Sequence, residues 1–156
     1  MKHLLALVVL GVAAIVAVAT GAQAGTVTNT TASYAFSGWV SCANGGAGEL
    51  VNGTVEARNL VTETTNDNVD AYQFQTTLRG ALVGAVSGDS YRLNAIEHGT
   101  YVENAANDHY TATYVNRYRL IGSGQASNLV VRETSHVTRD GDTVIVDHDS
   151  WDIECS

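Results

Sequence analysis

Alternation of apolar and polar residues is the feature of this sequence that most restricts its fold. From residue 25 onward, no segment places apolar residues at the three-to-four-residue spacing of an amphipathic helix, whereas a period of two recurs along the chain. Val, Thr, Tyr and Ile, which favour strands, are frequent there, and the chain contains no proline. The pattern predicts an all-β protein.

The alternation defines seven predicted strands, joined by short clusters of Gly, Asn, Asp and Ser that are typical of turns. The strands are Thr31–Cys42, Leu50–Thr62, Asp70–Val83, Tyr91–Val102, His109–Ile121, Asn128–Arg139 and Thr143–Cys155. Short connections favour an antiparallel meander. Because the strands are long and each has one apolar face, we expect a sheet closed into an up-and-down barrel, with a β-sandwich as the alternative.

The first 24 residues have the composition of an export signal. A basic start at Lys2 precedes the apolar run Leu4–Ala19, and Ala22-Gln23-Ala24 provides the small-residue pattern that signal peptidase requires. We expect cleavage after Ala24, leaving one domain, 25–156, that is secreted or periplasmic and has no membrane contact. An uncleaved anchor is the alternative, because the apolar run comes close to spanning a bilayer.

The chain has two cysteines, Cys42 and Cys155. In an exported protein an even number of cysteines usually pairs, so we expect a disulfide bond between them. In a seven-strand meander both lie at the ends of strands that run in the same direction. A bond would bring the first and last strands together and close the barrel. The alternative is a free nucleophilic thiol.

Composition excludes several classes of function. The 16 Asp and Glu residues exceed the 8 Lys and Arg residues, which argues against a basic face for nucleic acid. The only lysine, Lys2, lies in the predicted signal, so the mature chain has no lysine for a Schiff base or a phosphate loop. No spacing typical of zinc ligands occurs, and we predict neither a metal nor a cofactor.

Two further groups of polar residues are interpreted as structural. The acidic segment that starts at Asp140-Gly141-Asp142 could offer oxygens to calcium, but Asp-Gly first of all indicates a hairpin turn. His98, His109 and His136 fall on the polar phase of their strands and are predicted to be exposed to solvent.

Polar residues on the apolar phase give the candidate site. Keeping the apolar faces together aligns the middle strands into rows. One predicted row contains Leu78, Ala95, Asn116 and Glu133, and the next contains Thr76, Glu97, Tyr114 and Ser135. The turn after Asp140 leaves open whether His148 or Asp149 lies beside Glu133. The predicted ligand-binding residues are Thr76, Glu97, Tyr114, Asn116, Tyr118, Glu133 and Ser135, and all seven tyrosines share the apolar phase.

The predicted function is binding of a small, mostly apolar molecule inside a tyrosine-lined barrel. A cyclase or isomerase is the first alternative, with Glu97 or Glu133 as base and Tyr114 as hydrogen-bond donor, because burial tunes carboxyl groups for proton transfer. The second alternative is a packed structural or interaction subunit of the cell surface.

The C-terminal part of the chain carries a resemblance. The segments Tyr118–Gly124, Asn128–His136 and Val146–Cys155, which ends in Ile153-Glu154-Cys155, resemble a group of uncharacterised secreted bacterial proteins with a similar Ile-Glu-Cys ending after a hairpin. The resemblance implies export and a β-rich fold and brings no catalytic residue. At the level of fold, a tyrosine-lined antiparallel barrel is also similar to lipocalin-like carriers and allene-oxide-cyclase-like barrels.

Overall fold

A computed structural model describes residues 25–156 of the chain, and the predicted signal segment 1–24 lies outside the described residues. The strands are β1 Thr26–Val40, β2 Glu49–Thr65, β3 Val69–Gly84, β4 Ser90–Asn104, β5 His109–Gly122, β6 Leu129–Asp140 and β7 Thr143–Cys155. One 3-10 turn, Asn44–Gly46, joins β1 to β2. Within residues 25–156 no helix is long and apolar enough to cross a membrane.

All seven predicted strands are present, and they form the predicted meander. The sheet order is β1-β2-β3-β4-β5-β6-β7, with every neighbouring pair antiparallel. Several strands extend beyond the predicted bounds, because segments such as Thr26–Thr30 contain too few apolar residues to show alternation. Closure is the part of the barrel prediction that is not confirmed, since no ladder of hydrogen bonds joins β1 to β7 in the described chain.

The sheet is nevertheless strongly curled. Val51 and Val55 on β2 have 0% of their surface exposed, although residues 25–156 form only one sheet and no second layer covers it. Side chains of a single sheet become inaccessible only when the sheet bends over them. We call the face that carries these buried side chains the inner face.

The predicted disulfide bond is present. Cys42, just after β1, is bonded to Cys155 at the end of β7, and their Cα atoms are 5.8 Å apart. Beside this bond, Ser156 and Asn128 exchange two backbone hydrogen bonds. The disulfide bond therefore joins the first and last strands at one end of the sheet. No backbone ladder joins them elsewhere in the described chain.

The apolar core lies at the disulfide end, which we call the packed end. Its buried side chains come from six strands and the β1–β2 connection, and they are Val40, Cys42, Ala43, Val51, Val55, Ala57, Leu78, Leu82, Tyr91, Leu93, Ala95, Leu120 and Leu129. Toward the opposite end, the inner face carries half-buried tyrosines instead. We call that end the open end.

Inner-face glycines allow the sheet to bend closely. A Cβ atom at Gly80 would meet the backbone of Thr54 and Val55 on β2, and one at Gly99 would meet the ring of Phe74 on β3. A glycine in a strand commonly marks such a tight bend or close approach. These two positions lie on neighbouring strands in the middle of the sheet, where the curvature is needed.

Candidate functional site

A row of polar side chains crosses the inner face between the packed and open ends. Antiparallel pairing places Asn59 opposite Thr76, Thr76 opposite Glu97, Glu97 opposite Asn116, and Asn116 opposite Glu133. We call these five residues the polar row. Directly paired residues on one face have neighbouring side chains. The sheet therefore brings two carboxyl groups and two amides into a single line.

Hydrogen bonds within the polar row follow this pairing. The Thr76 hydroxyl donates to Asn59 Oδ1 at 2.8 Å, and Asn116 Nδ2 donates to Glu133 Oε2 at 2.9 Å. All five side chains are half-buried. The row is thus a partly shielded polar layer, with the apolar core on one side and aromatic rings on the other.

The register between β4 and β5 differs from the predicted one. The predicted rows paired Glu97 with Tyr114, whereas the structure pairs Glu97 with Asn116 and Gly99 with Tyr114. The loop between these strands, Ala105–Asp108, is centred one residue later than expected, which moves the pairing by two residues. Such a shift keeps every side chain on its face, so it merges two predicted polar rows into one.

Glu97 is the residue of the polar row whose pKa is shifted by its surroundings. Burial raises the pKa of its carboxyl group, the nearby charge of Glu133 raises it further, and a hydrogen bond from Tyr118 opposes both. The Tyr118 hydroxyl donates to Glu97 Oε1 at 2.8 Å. Burial and the charge of Glu97 in turn raise the pKa of Tyr118. Glu97 therefore keeps its proton to a higher pH than an ordinary glutamate does.

Tyr34 reaches the same environment from the far side of the sheet. It lies on β1, three strands from Glu97 on β4. Even so, burial and the charge of Glu97 raise the pKa of the Tyr34 hydroxyl. The curl of the sheet accounts for this proximity, because residues separated by two intervening strands face each other across the interior.

Asn116 contributes an acceptor without a partner. Its Oδ1 atom is buried and receives no hydrogen bond from the described residues. A buried carbonyl oxygen without a donor is costly. The opposing residue is Glu97, and a protonated carboxyl group is a donor. A proton held on Glu97 is thus suited to this acceptor.

Aromatic rings line the inner face from the polar row to the open end. Phe74 and Tyr114 have ring centroids 6.1 Å apart, Tyr72 and Tyr101 5.6 Å, and Tyr101 and Tyr110 4.9 Å. These separations are within the range of favourable aromatic pairs. The Tyr101 hydroxyl also donates to the Glu103 carboxylate. The open end is therefore a wall of rings with polar atoms at its rim.

A recess of about 320 Å³ lies at this rim and is open to solvent. It is lined by Tyr101, Glu103, Asp108, Tyr110, Val137, Arg139 and Gly141. A second recess, of about 210 Å³, lies on the outer face between β2 and β3. Neither recess is lined by the polar row. The recess on the inner face lies at the open end, beyond the polar row.

The remaining predicted site residues flank the polar row. Tyr114 and Ser135 lie opposite each other one row toward the open end, and Tyr118 lies one row toward the packed end. Tyr118 donates to Glu97, whereas Tyr114, the predicted hydrogen-bond donor of the enzyme alternative, is paired with Ser135. The residue opposite Glu133 is Trp151, which replaces both predicted neighbours, His148 and Asp149. A bulge in the β6–β7 pairing, at Thr138 and Arg139, changes the register of the two strands.

The histidine predictions are correct for one residue and wrong in part for two. His98 is exposed, whereas His109 and His136 are half-buried. His136 Nδ1 lies 2.8 Å from the Thr113 hydroxyl and its Nε2 lies 3.3 Å from the Thr138 hydroxyl, and these contacts explain why the ring is half-buried.

Residues Asp140–Thr143 form the tight turn that Asp-Gly indicated. In residues 25–156 no three His, Cys, Asp or Glu side chains are grouped closely enough to hold a metal ion.

Sequence reasoning missed the residues of the open recess and the role of Tyr34. Arg139, Glu103 and Asp108 lie at strand ends, where a pattern of alternation does not separate a rim from a loop. The signal that could have found Tyr101 and Tyr110 was present, because both share the apolar phase and lie far from the cysteines.

No protein-family model, no curated protein and no solved structure matches this chain.

Proposed function

We propose that the protein is an exported binder of a small, mostly apolar molecule, which it holds at the open end of an incomplete barrel. The observation that carries the proposal is the run of aromatic rings that ends in the open recess. Tyr101 and Tyr110 form its closest aromatic pair and both line that recess. Binding sites for small molecules are typically concave, aromatic and supplied with a few polar groups.

The two ends of the inner face support different roles. The packed end is filled by aliphatic side chains such as Leu82 and Leu93, with 1% exposure each. The open end offers flat rings, whose burial against an apolar ligand stabilises the complex by about 25 cal/mol per Å² removed from water. The ligand would therefore rest on the rings and not in the core.

Polar groups at the rim set the expected ligand chemistry. Arg139 offers guanidinium donors, and Glu103 offers a carboxylate beside the Tyr101 hydroxyl. A molecule with an apolar ring and one or two polar substituents matches this combination. The polar row lies two to three rows deeper and closes the site from below.

Titration with Nile red, a neutral apolar dye, tests this proposal. Tyr110→Ala removes one ring from the recess, and Val115→Ala on the same strand is the matched control because Val115 is exposed on the outer face. We expect dye affinity to fall by about three- to tenfold in Tyr110→Ala, the value of one lost aromatic contact, and to stay unchanged in Val115→Ala. Equal affinity in all three proteins would contradict the proposal.

An enzyme of the cyclase or isomerase type is a second candidate, and one observation favours it. Glu97 is a half-buried carboxyl group whose pKa is raised by burial. It accepts a hydrogen bond from Tyr118 and is paired with Asn116, whose Oδ1 atom has no partner among the described residues. General acids are commonly tuned in this way. In this scheme Glu97 supplies a proton and Tyr118 orients it. Conversion of a bound small molecule that stops in Glu97→Gln while binding persists would select this candidate.

A further inference from the structure

The edges of β1 and β7 are the largest unused feature of the molecule. No hydrogen-bond ladder joins the two strands in residues 25–156, so each presents a row of backbone N–H and C=O groups. Unpaired edges of this kind are templates for another strand. We call the gap between the two edges the seam.

Exposure shows where the seam is open. Residues Thr26–Ala35 of β1 are all exposed, including those on the inner face, and so is every residue of β7. From Phe36 onward the inner-face residues of β1 are half-buried or buried. Cover on β1 therefore increases toward the disulfide bond that joins the two strand ends, and the seam is open along Thr26–Ala35.

Strand direction determines what fits the seam. In a meander of seven antiparallel strands, β1 and β7 run in the same direction. One strand that runs opposite to both would pair with each in the antiparallel manner of the rest of the sheet and complete eight strands. Such an insert needs two strand spacings, roughly 9.5 Å. The 5.8 Å between Cα atoms at the disulfide is too narrow, so the insert must end before Phe36.

Charge determines the chemistry of the inserted strand. β1 carries no charged residue along its 15 positions, whereas β7 carries Asp147 and Asp149 on its inner face. The other two acidic residues of β7, Asp152 and Glu154, are already paired with Arg132 at 2.5 and 2.8 Å. Asp149 accepts one hydrogen bond, from Trp151 Nε1 at 2.8 Å, and has no cationic partner among the described residues. Asp147 lies eight residues before Cys155, and Tyr34 lies eight before Cys42, so both flank the open part of the seam.

We propose that an extended segment of a partner protein, with Lys or Arg on its inner face, inserts between β1 and β7 opposite Asp147 and Asp149. The inserted strand would satisfy both edges and cover the exposed apolar side chains of β7, which include Val144, Val146 and Ile153. Recognition of this kind, by addition of a strand to a sheet edge, takes affinity from backbone hydrogen bonds and specificity from alternate side chains.

A second copy of the chain satisfies fewer of these groups. Two β7 edges would bring their acidic residues together, which is unfavourable. Two β1 edges could pair, but β7 and its apolar side chains would then remain uncovered. One inserted segment, by contrast, covers both edges.

The test uses the folded chain 25–156 and synthetic peptides. The probe is a peptide of about ten residues in which Val and Thr alternate, with two Lys residues placed two positions apart to face Asp147 and Asp149. A matched peptide carries Glu at both positions. Affinity is measured by fluorescence anisotropy, and protection of backbone amides by hydrogen exchange. Asp147→Asn/Asp149→Asn is the test variant, and Asp67→Asn in the exposed β2–β3 loop is the control.

We expect the Lys peptide to protect amides in both Thr26–Ala35 and β7 and to bind at least about tenfold more tightly than the Glu peptide. The double variant should remove that preference, and Asp67→Asn should keep it. Three results would overturn the proposal. They are equal binding of both peptides, no peptide-induced protection of the two edges, and protection of both edges in the peptide-free protein. A dimer that protects β1 alone would replace it with pairing between copies.

Discussion

The Tyr118 hydroxyl on β5 donates a 2.8 Å hydrogen bond to Glu97 Oε1 on β4, one row away from the residue that Glu97 faces directly. This bond links the aromatic and carboxyl groups of the inner face. It orients a carboxyl group whose pKa burial raises, beside the unpartnered Asn116 oxygen. The site therefore combines a carboxyl group of raised pKa with a defined hydrogen bond.

Glu97→Gln should weaken the pH dependence of stability. A raised pKa in the folded state means that the native protein binds the proton more tightly than the unfolded chain. The stability from this source is complete below the unfolded pKa of about 4.3 and declines as pH rises through the folded pKa. Gln retains an acceptor for Tyr118 and a donor for Asn116, so we expect equal or higher stability than the wild type at neutral pH.

The measurement is the midpoint of denaturant unfolding between pH 4 and 8, with Glu56→Gln on the exposed outer face of β2 as the control. A Glu97→Gln profile that is parallel to the wild-type profile over this whole range would contradict a raised pKa.

Glu49 should show the opposite dependence on pH. It is only 1% exposed, and its carboxylate accepts hydrogen bonds from the Ser87 hydroxyl, the Ser87 amide and the Val86 amide. These bonds lower its pKa. Its stabilising effect is therefore present above the unfolded pKa and is lost as pH falls through the folded pKa.

Glu49→Gln should lower the melting temperature at neutral pH and reduce the loss of stability on acidification. It should also increase proteolysis in the loop between β3 and β4, because that loop is attached to Glu49. Glu56→Gln again provides the control. Unchanged melting and unchanged cleavage would show that the contact is dispensable.

Loss of the disulfide bond should destabilise the fold more than any single side chain described above. Cys42 and Cys155 are separated by 113 residues. Closing a loop of that length lowers the entropy of the unfolded chain and so raises its free energy by about 4–5 kcal/mol at 25 °C. We expect Cys42→Ser/Cys155→Ser to lower the free energy of unfolding by roughly 2–5 kcal/mol. Recovery of two free thiols from the untreated protein would refute the bond itself.

Gly99→Ala should destabilise the curl of the sheet. Its Cβ atom would overlap the Phe74 ring, which already packs near Tyr114. Overpacking of this kind costs about 1–3 kcal/mol. The matched control is Ala81→Val, which enlarges an exposed residue on β3. Denaturant unfolding measures both, and an equal, small effect of the two changes would contradict a close approach at Gly99.

Alternation allowed the strands and their faces to be predicted, because a strand with one buried side carries its own pattern. The pairing of Leu78 with Ala95 and of Asn116 with Glu133 agrees with the predicted rows. The pairing of Glu97 does not, because a shift of two residues exchanges neighbours and preserves the pattern. The chemistry of a loop such as Ala105–Asp108 determines that shift, and Asp108 has a left-handed backbone with φ of 53°.

Two other features of the structure, the bulge in β7 and the buried Glu49, were not predicted from the alternation. Val144, Ile145 and Val146 are consecutive apolar residues, so nothing in the sequence marked the bulge that places Trp151 opposite Glu133. Glu49, by contrast, shares the phase of Val51 and Val55 and could have been recognised as inward-facing if β2 had been extended by one residue. Strand ends are where turn geometry and alternation compete.

Native mass spectrometry of the protein, purified gently from the cells that make it, shows whether the tyrosine-lined open end holds a small molecule. We predict a bound species of constant mass on the wild type and on Val115→Ala, and its loss from Tyr101→Ala/Tyr110→Ala, which removes both rings of the closest pair in the recess. A wild-type spectrum that contains the mass of the chain alone would rule out a ligand held at the open end.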